Sequence, residues 1–208
     1  MLLLLIRHAL TDHVGHKLSG WTSGVTLSER GREQAEQLAA RLKPVKVDAI
    51  YCSPLERAAE TAKVVARGRG VRIRQRDEIG EVHYGDLEGR SLRSLAKGKL
   101  WNRLRAWPSD VRFPGGESLR ETQARAVAAV EDIRAAHPKG TVAVFSHGDW
   151  IRMVMAHYLG VHIDLYRRIG VDPASVNIID FFAHGPYVRA LNDTGDLAGL
   201  SAPRGGAR

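Results

Sequence analysis

The stretch LLLLIRH at positions 2–8 decides the fold. Five apolar residues run without any polar alternation and stop abruptly at Arg7 and His8. A strand with one wet face alternates, whereas a strand buried on both faces does not, and such strands belong to parallel sheets covered by helices on each side. Five residues are too few for the apolar core of a secretion signal and far too few to cross a bilayer. Runs of the same character recur at 47–52 (VDAIYC) and 141–145 (TVAVF), with a shorter one at 71–73. Two more strand-like runs, 176–182 and 187–191, come late in the chain.

Helical spacing fills the intervals. After a polar, glycine-bearing loop over 11–25, Thr26 and Glu29 read as a capping box ahead of Ala35, Leu38, Ala39 and Leu42, and Pro44 ends that helix. Ser53, Pro54 and Glu56 read as N-cap, N1 and N3 of a second helix, which Gly68 and Gly70 terminate. Residues 77–90 show no period and read as a loop, while 91–107 predict one weakly amphipathic helix. Ser118 and Glu121 open a long helix reaching about His137, and another follows the 141–145 strand. Strands alternating with helices predict an α/β, three-layer sandwich: a mostly parallel central sheet with helices on both faces. One domain is expected over 1–195. An insert at about 77–116 should cap the C-terminal ends of the strands, and 196–208 should form a flexible tail.

The chain of 208 residues carries 31 Lys+Arg against 23 Asp+Glu, a net charge of +8, with 6% aromatic residues and a single cysteine, Cys52. One cysteine excludes a disulfide framework and a cysteine-rich zinc site, and it suits a reducing, cytoplasmic location. The basic excess invites a nucleic-acid reading, but the charges are scattered and stacking aromatics are few, so no nucleic-acid or membrane partner is expected. A cationic site for a small phosphorylated anion fits better. No HxxxH, HxH or HExxH spacing links His13, His16, His83 or His157 to carboxylates, so these read as surface or core residues, with neither metal nor cofactor expected.

Ligands of open α/β sheets bind beyond the carboxyl ends of the strands. Arg7 and His8 follow the first run, Ser53-Pro54 with Arg57 the second, and Ser146, His147 and Gly148 the fourth. Two arginines and two histidines thus gather on one rim, beside helix starts that offer free N–H groups. Arginine forks match phosphoryl oxygens, and a neutral imidazole can attack phosphorus. Glu78, Glu81 and Glu88 in the following loop could each protonate a leaving oxygen.

In order, LIRH (5–8), SPLERAAETA (53–62), EVHYGDLEG (81–89), PGGES (114–118) and FSHG (145–148) resemble the motifs of the histidine phosphatase superfamily, the phosphoglycerate mutase-like proteins. The likeness extends from residue 2 to about 195, including TLSERGREQA (26–35) and LNDT (191–194). It implies that His8 is the nucleophile and becomes phosphohistidine, and that Arg7, Arg57 and His147 hold the phosphoryl oxygens. Thr11 and Gly148 would add phosphate contacts, and Glu81 would be the proton donor. Two places depart from the pattern. Ala9 stands where the family has glycine, which could tilt the nucleophile, and Val14 stands where an asparagine donor is common.

The resemblance implies a phosphomonoester hydrolase acting on a small phosphorylated metabolite, with a homodimer left open. A cofactor-dependent phosphoglycerate mutase is the alternative. True mutases carry an arginine directly after the acid, where this chain has Val82, and Arg90, Arg93 and Lys97 are the nearby cations that could replace it. The loss of that charge favours hydrolysis. From another class, a catalytically weak phospho-ligand-binding protein would also fit Ala9 and Val14.

Overall fold

The computed structural model describes residues 1–195. The expected tail at 196–208 lies outside them. In chain order the described elements are β1 (Leu2–Arg7), α1 (Glu29–Leu42), β2 (Ala49–Cys52), α2 (Glu56–Ala66), β3 (Ile73–Gln75), α3 (Leu92–Leu95), α4 (Lys99–Ala106), α5 (Leu119–Ala136), β4 (Thr141–Ser146), α6 (Gly148–Tyr158), β5 (Val176–Phe182) and β6 (Gly185–Asp193). They form one six-stranded sheet in the order β3-β2-β4-β1-β5-β6, in which the first four strands are parallel and β5 and β6 antiparallel. This is the mostly parallel α/β sandwich that the apolar runs predict.

The unbroken run of β1 is explained by its neighbours. It lies between β4 and β5, pairing Leu2 with Thr141 through Arg7 with Ser146 on one side. Successive side chains then enter opposite cores. Leu3 and Leu5 join Val130, Ile133, Ile151 and Val154 of α5 and α6. Leu2, Leu4 and Ile6 join Leu38, Leu42, Ala62 and Val65 of α1 and α2. All five are fully buried. At roughly 1.5–3 kcal/mol per buried side chain of this size, polar substitution anywhere in the run would remove a large share of a domain's net stability.

Four local readings are corrected. Ser28, not Thr26, caps α1, its hydroxyl accepting from Gly31 N. Helix α2 starts at Glu56 with Leu55 at the N-cap, because Ser53 is engaged elsewhere. The helix expected over 91–107 is broken at Gly98 into α3 and α4. Glycine is the least favoured non-proline residue inside a helix, and the apolar period there was weak. The third strand begins at Ile73, two residues later than its apolar start. The Ser118–Glu121 capping box of α5 forms in full. No described helix is long and apolar enough to cross a membrane.

Candidate active site

Because β1 and β4 are adjacent and parallel, their C-terminal residues emerge side by side, and β2 lies next to β4. Arg7, His8, Arg57, Glu81 and Gly148 consequently line one cavity of about 230 Å³. Leu92, Trp101 and Leu104, from the segment read as a cap, wall the same cavity.

His8 is 5% exposed. Its Nδ1 lies 2.7 Å from the carbonyl oxygen of Ala9. A carbonyl can only accept, so Nδ1 carries the proton and Nε2 keeps its lone pair. Burial, then the charges of Arg57 and Arg7, push the imidazole pKa well below its usual value, so the ring is neutral. The backbone after His8 is fixed by Thr61, whose hydroxyl accepts from Ala9 N at 3.1 Å and donates to Arg57 O at 2.8 Å. Ala9 is not among the residues with positive φ, so an alanine fits without strain.

The histidine partner sits behind. The His8 and His147 rings are 5.2 Å apart. Leu55 N donates to Ser53 Oγ at 3.3 Å, and Ser53 Oγ lies 2.7 Å from His147 Nε2. Nε2 is the one acceptor that the buried Ser53 hydroxyl meets among the described residues, so the serine's proton goes to Nε2, which leaves Nδ1–H as the donor of His147. This is why Ser53 does not cap α2. Burial, then Arg57, lowers the His147 pKa well below the usual range too.

Arg57 is 1% exposed, and its Nη2 donates to Gly20 O at 2.8 Å. Arg7 Nη1 donates to Val171 O at 2.7 Å. Four buried nitrogens have no hydrogen-bond partner among the described residues: Arg7 Nε, Arg57 Nε, Arg57 Nη1 and His147 Nδ1. Leaving several charged donors unsatisfied is costly, and an anion with several acceptor oxygens is what would satisfy them.

Of the three candidate acids, Glu81 lines the cavity. Glu78 is exposed, and Glu88 accepts from Tyr84 N at 3.1 Å. Glu81 Oε1 accepts from Val82 N and Trp150 N, both at 3.1 Å. Burial, then the charge of Asp149, raises the Glu81 pKa, so the carboxyl holds a proton to higher pH than usual. Asp149 itself accepts from Tyr84 Oη at 2.8 Å and from Arg152 Nη1 at 2.7 Å.

Other expectations need correction. Thr11 does not line the cavity; its buried hydroxyl accepts from His13 N. Val82 is fully buried in the core with α5 and α6 and does not line the cavity, so its lack of charge says nothing about substrate grip. Arg90, Arg93 and Lys97 do not line the cavity either, whereas Arg152, Arg167 and Lys17 do. Sequence reasoning missed Ser53, Thr61, Asp149 and Arg152 as site residues. The i, i+4 spacing of Arg57 and Thr61 and the i, i+3 spacing of Asp149 and Arg152 were the available signals. Among the described residues, no three His, Cys, Asp or Glu side chains could together hold a metal.

Residues 3–194 match the histidine phosphatase superfamily (branch 1). Phosphoserine phosphatase 1 of Hydrogenobacter thermophilus is 32% identical over 195 residues, covering 92% of each chain. The probable phosphoglycerate mutase GpmB of Escherichia coli is 30% identical over 206 residues, covering 96% of this chain and 94% of its own. Among solved structures, Bacillus stearothermophilus YhfR superposes with a TM-score of 0.88 at 30% identity, covering 93% of this chain and 98% of its own. A putative alpha-ribazole-5'-P phosphatase from Escherichia coli gives 0.85 at 26% identity, covering 94% and 98%.

Proposed function

We propose that this chain, which belongs to the histidine phosphatase superfamily, hydrolyses phosphomonoesters of small metabolites through a phosphohistidine at His8. One observation carries the reading. A neutral imidazole with a free Nε2 shares a cavity with two guanidinium groups whose buried nitrogens lack protein acceptors, and the His147 ring, its Nδ1 also unpartnered, lies 5.2 Å from it. Relatives named as phosphatases of phosphoserine and of alpha-ribazole-5'-P support a monoester substrate.

His8 Nε2 attacks phosphorus, forming the N–P bond as the P–O bond to the leaving group breaks. Arg7, Arg57 and His147 Nδ1–H hold the non-bridging oxygens as charge gathers on them. Gly148, at the start of α6, adds the positive end of a helix. Glu81 passes its proton to the departing oxygen, and its raised pKa suits it to be protonated at that moment. Water then attacks the phosphohistidine, giving its proton to the Glu81 carboxylate, and phosphate leaves with His8 and Glu81 restored.

Rapid quench should trap acid-labile, substrate-derived phosphate on the wild type. The His8→Ala variant should trap none and lose turnover of p-nitrophenyl phosphate. Wild-type turnover in His8→Ala would overturn the mechanism, and binding of phosphate by a wild type that never turns over would favour the ligand-binding reading. Activity should persist in EDTA, since every group in the scheme is a side chain or backbone N–H.

A further inference from the structure

We infer that Arg125 is a positioning residue for the carboxyl of Glu81: locked by Glu117, its guanidinium ties down the backbone carbonyls of the loop that carries the acid. The inference rests on the reading of Glu81 as proton donor. The loop around it belongs to no sheet; a turn over Asp77–Ile79 leads through Gly80 to Glu81. Such a segment would ordinarily be free to shift. Here every carbonyl from 78 to 81 is held. Trp150 Nε1 donates to Glu78 O at 2.8 Å, Ser146 Oγ to Ile79 O at 2.6 Å and Trp21 Nε1 to Glu81 O at 2.7 Å.

Arg125 reaches three of the four. From α5, its Nη1 donates to Glu78 O at 2.9 Å and Gly80 O at 3.1 Å, and its Nη2 to Glu81 O at 3.2 Å. The same guanidinium is gripped by Glu117, Nη2 to Oε1 at 2.6 Å and Nε to Oε2 at 3.3 Å. Glu117 Oε1 also accepts from His83 N at 2.9 Å, so the ion pair fastens the chain on both sides of the acid. The pair is largely buried, with side chains 20% and 14% exposed. Its planar fork fits several acceptors at once, which an ammonium cannot match. Arg125 does not line the cavity, so it acts through Glu81 rather than on the substrate.

A leaving-group comparison tests this. An alkyl monoester (O-phosphoserine or glycerol 3-phosphate, whichever turns over faster) needs the proton from Glu81, and p-nitrophenyl phosphate hardly does. Arg125→Met keeps length and apolar packing. We expect kcat for the alkyl ester to fall at least about tenfold, towards the roughly hundredfold cost of misplacing a reacting group by an ångström. For p-nitrophenyl phosphate, kcat should stay within about twofold. Arg125→Lys should recover part of the alkyl loss. In a Glu81→Gln background, Arg125→Met should cost nothing further on the alkyl ester. Equal losses on both esters, or a full additional loss on top of Glu81→Gln, would overturn the positioning role. If Glu81→Gln itself fails to separate the two esters, the donor reading falls instead. Should Arg125→Met fail to fold by circular dichroism, Arg125→Lys and Glu117→Gln carry the same comparison, with the same split expected and the same equal loss decisive against it.

Discussion

A single imidazole shows how burial and charge set reactivity. Burial, and then the charges of Arg57 and Arg7, disfavour a further positive charge there, so His8 stays neutral where a free histidine, with a pKa of about 6.5, would protonate. In the proposed mechanism this neutral ring is the nucleophile. Turnover of p-nitrophenyl phosphate, corrected for the substrate's own ionisation, should therefore stay level as pH falls through about 6.5. An acid limb in kcat/KM centred there would show that His8 is not so held. The same shift links to stability. Above the unfolded pKa both states of His8 and His147 are neutral and contribute nothing. Below it the unfolded chain takes up protons that the folded chain resists, so stability should fall with pH in that window. A melting temperature unchanged between about pH 7 and 5.5 would contradict this. The substitutions at Ala9 and Val14 also resolve at this scale. Ala9 needs no left-handed backbone, and Val14 lines the cavity without supplying a donor.

Helix α1 fixes the segment that follows His8. A Cβ added at Gly31 would lie 1.9 Å from the carbonyl oxygen of Leu10, which also accepts from Ser28 N. Gly31→Ala gains about 1 kcal/mol of helix propensity, but a backbone clash cannot be relieved by a rotamer change, and overpacking typically costs about 1–3 kcal/mol. We expect a net loss, read as a melting temperature several degrees lower, at about 2–4 °C per kcal/mol for a chain this size. An unchanged or raised melting temperature would show that the Leu10 segment moves freely. Elements of this kind differ in how far local sequence reveals them. The strands β1 and β4 were legible because burial on both faces removes polar residues from the run itself. The start of α2 was not, because Ser53-Pro54 has the local signature of a cap while a tertiary bond to His147 claims the serine. Helix α5 was legible by its capping box, yet Arg125 looks like any surface arginine there. The carbonyls it holds lie 44–47 residues upstream, beyond any local pattern.

Over the whole molecule, the site was legible because strand ends share one rim, so residues following separate apolar runs had to meet. His8, Arg7, Arg57, Glu81 and Gly148 do meet there, with the His147 ring 5.2 Å from that of His8, although Thr11 does not line the cavity. What local sequence could not supply is the wall opposite, where charge decides between hydrolysis and phosphoryl return. A mutase must retain a doubly phosphorylated, carboxylate-bearing intermediate while it turns over on the enzyme. In the proposed mechanism Arg7 and Arg57, which line this cavity, are taken up by the reacting phosphoryl group. Arg152 is committed to Asp149 at 2.7 Å and to Ile169 O at 3.0 Å. The remaining cavity cations are Arg167 and Lys17, both exposed. Exposed ion pairs are worth about 0.2–1 kcal/mol each, against about 1.5–3 kcal/mol for a buried, charge-assisted contact. Two such contacts hold an intermediate roughly two- to thirtyfold more tightly than none, since about 1.4 kcal/mol is tenfold, so water should usually intervene first. We therefore expect 3-phosphoglycerate, primed with catalytic 2,3-bisphosphoglycerate, to yield little 2-phosphoglycerate while phosphate is released from monoesters. Arg167→Ala should raise KM for a dianionic ester no more than about fivefold. Isomerisation as fast as phosphate release, abolished by Arg167→Ala, would show that the mouth cations grip far more strongly than exposed charges do, and the mutase reading would replace the phosphatase one.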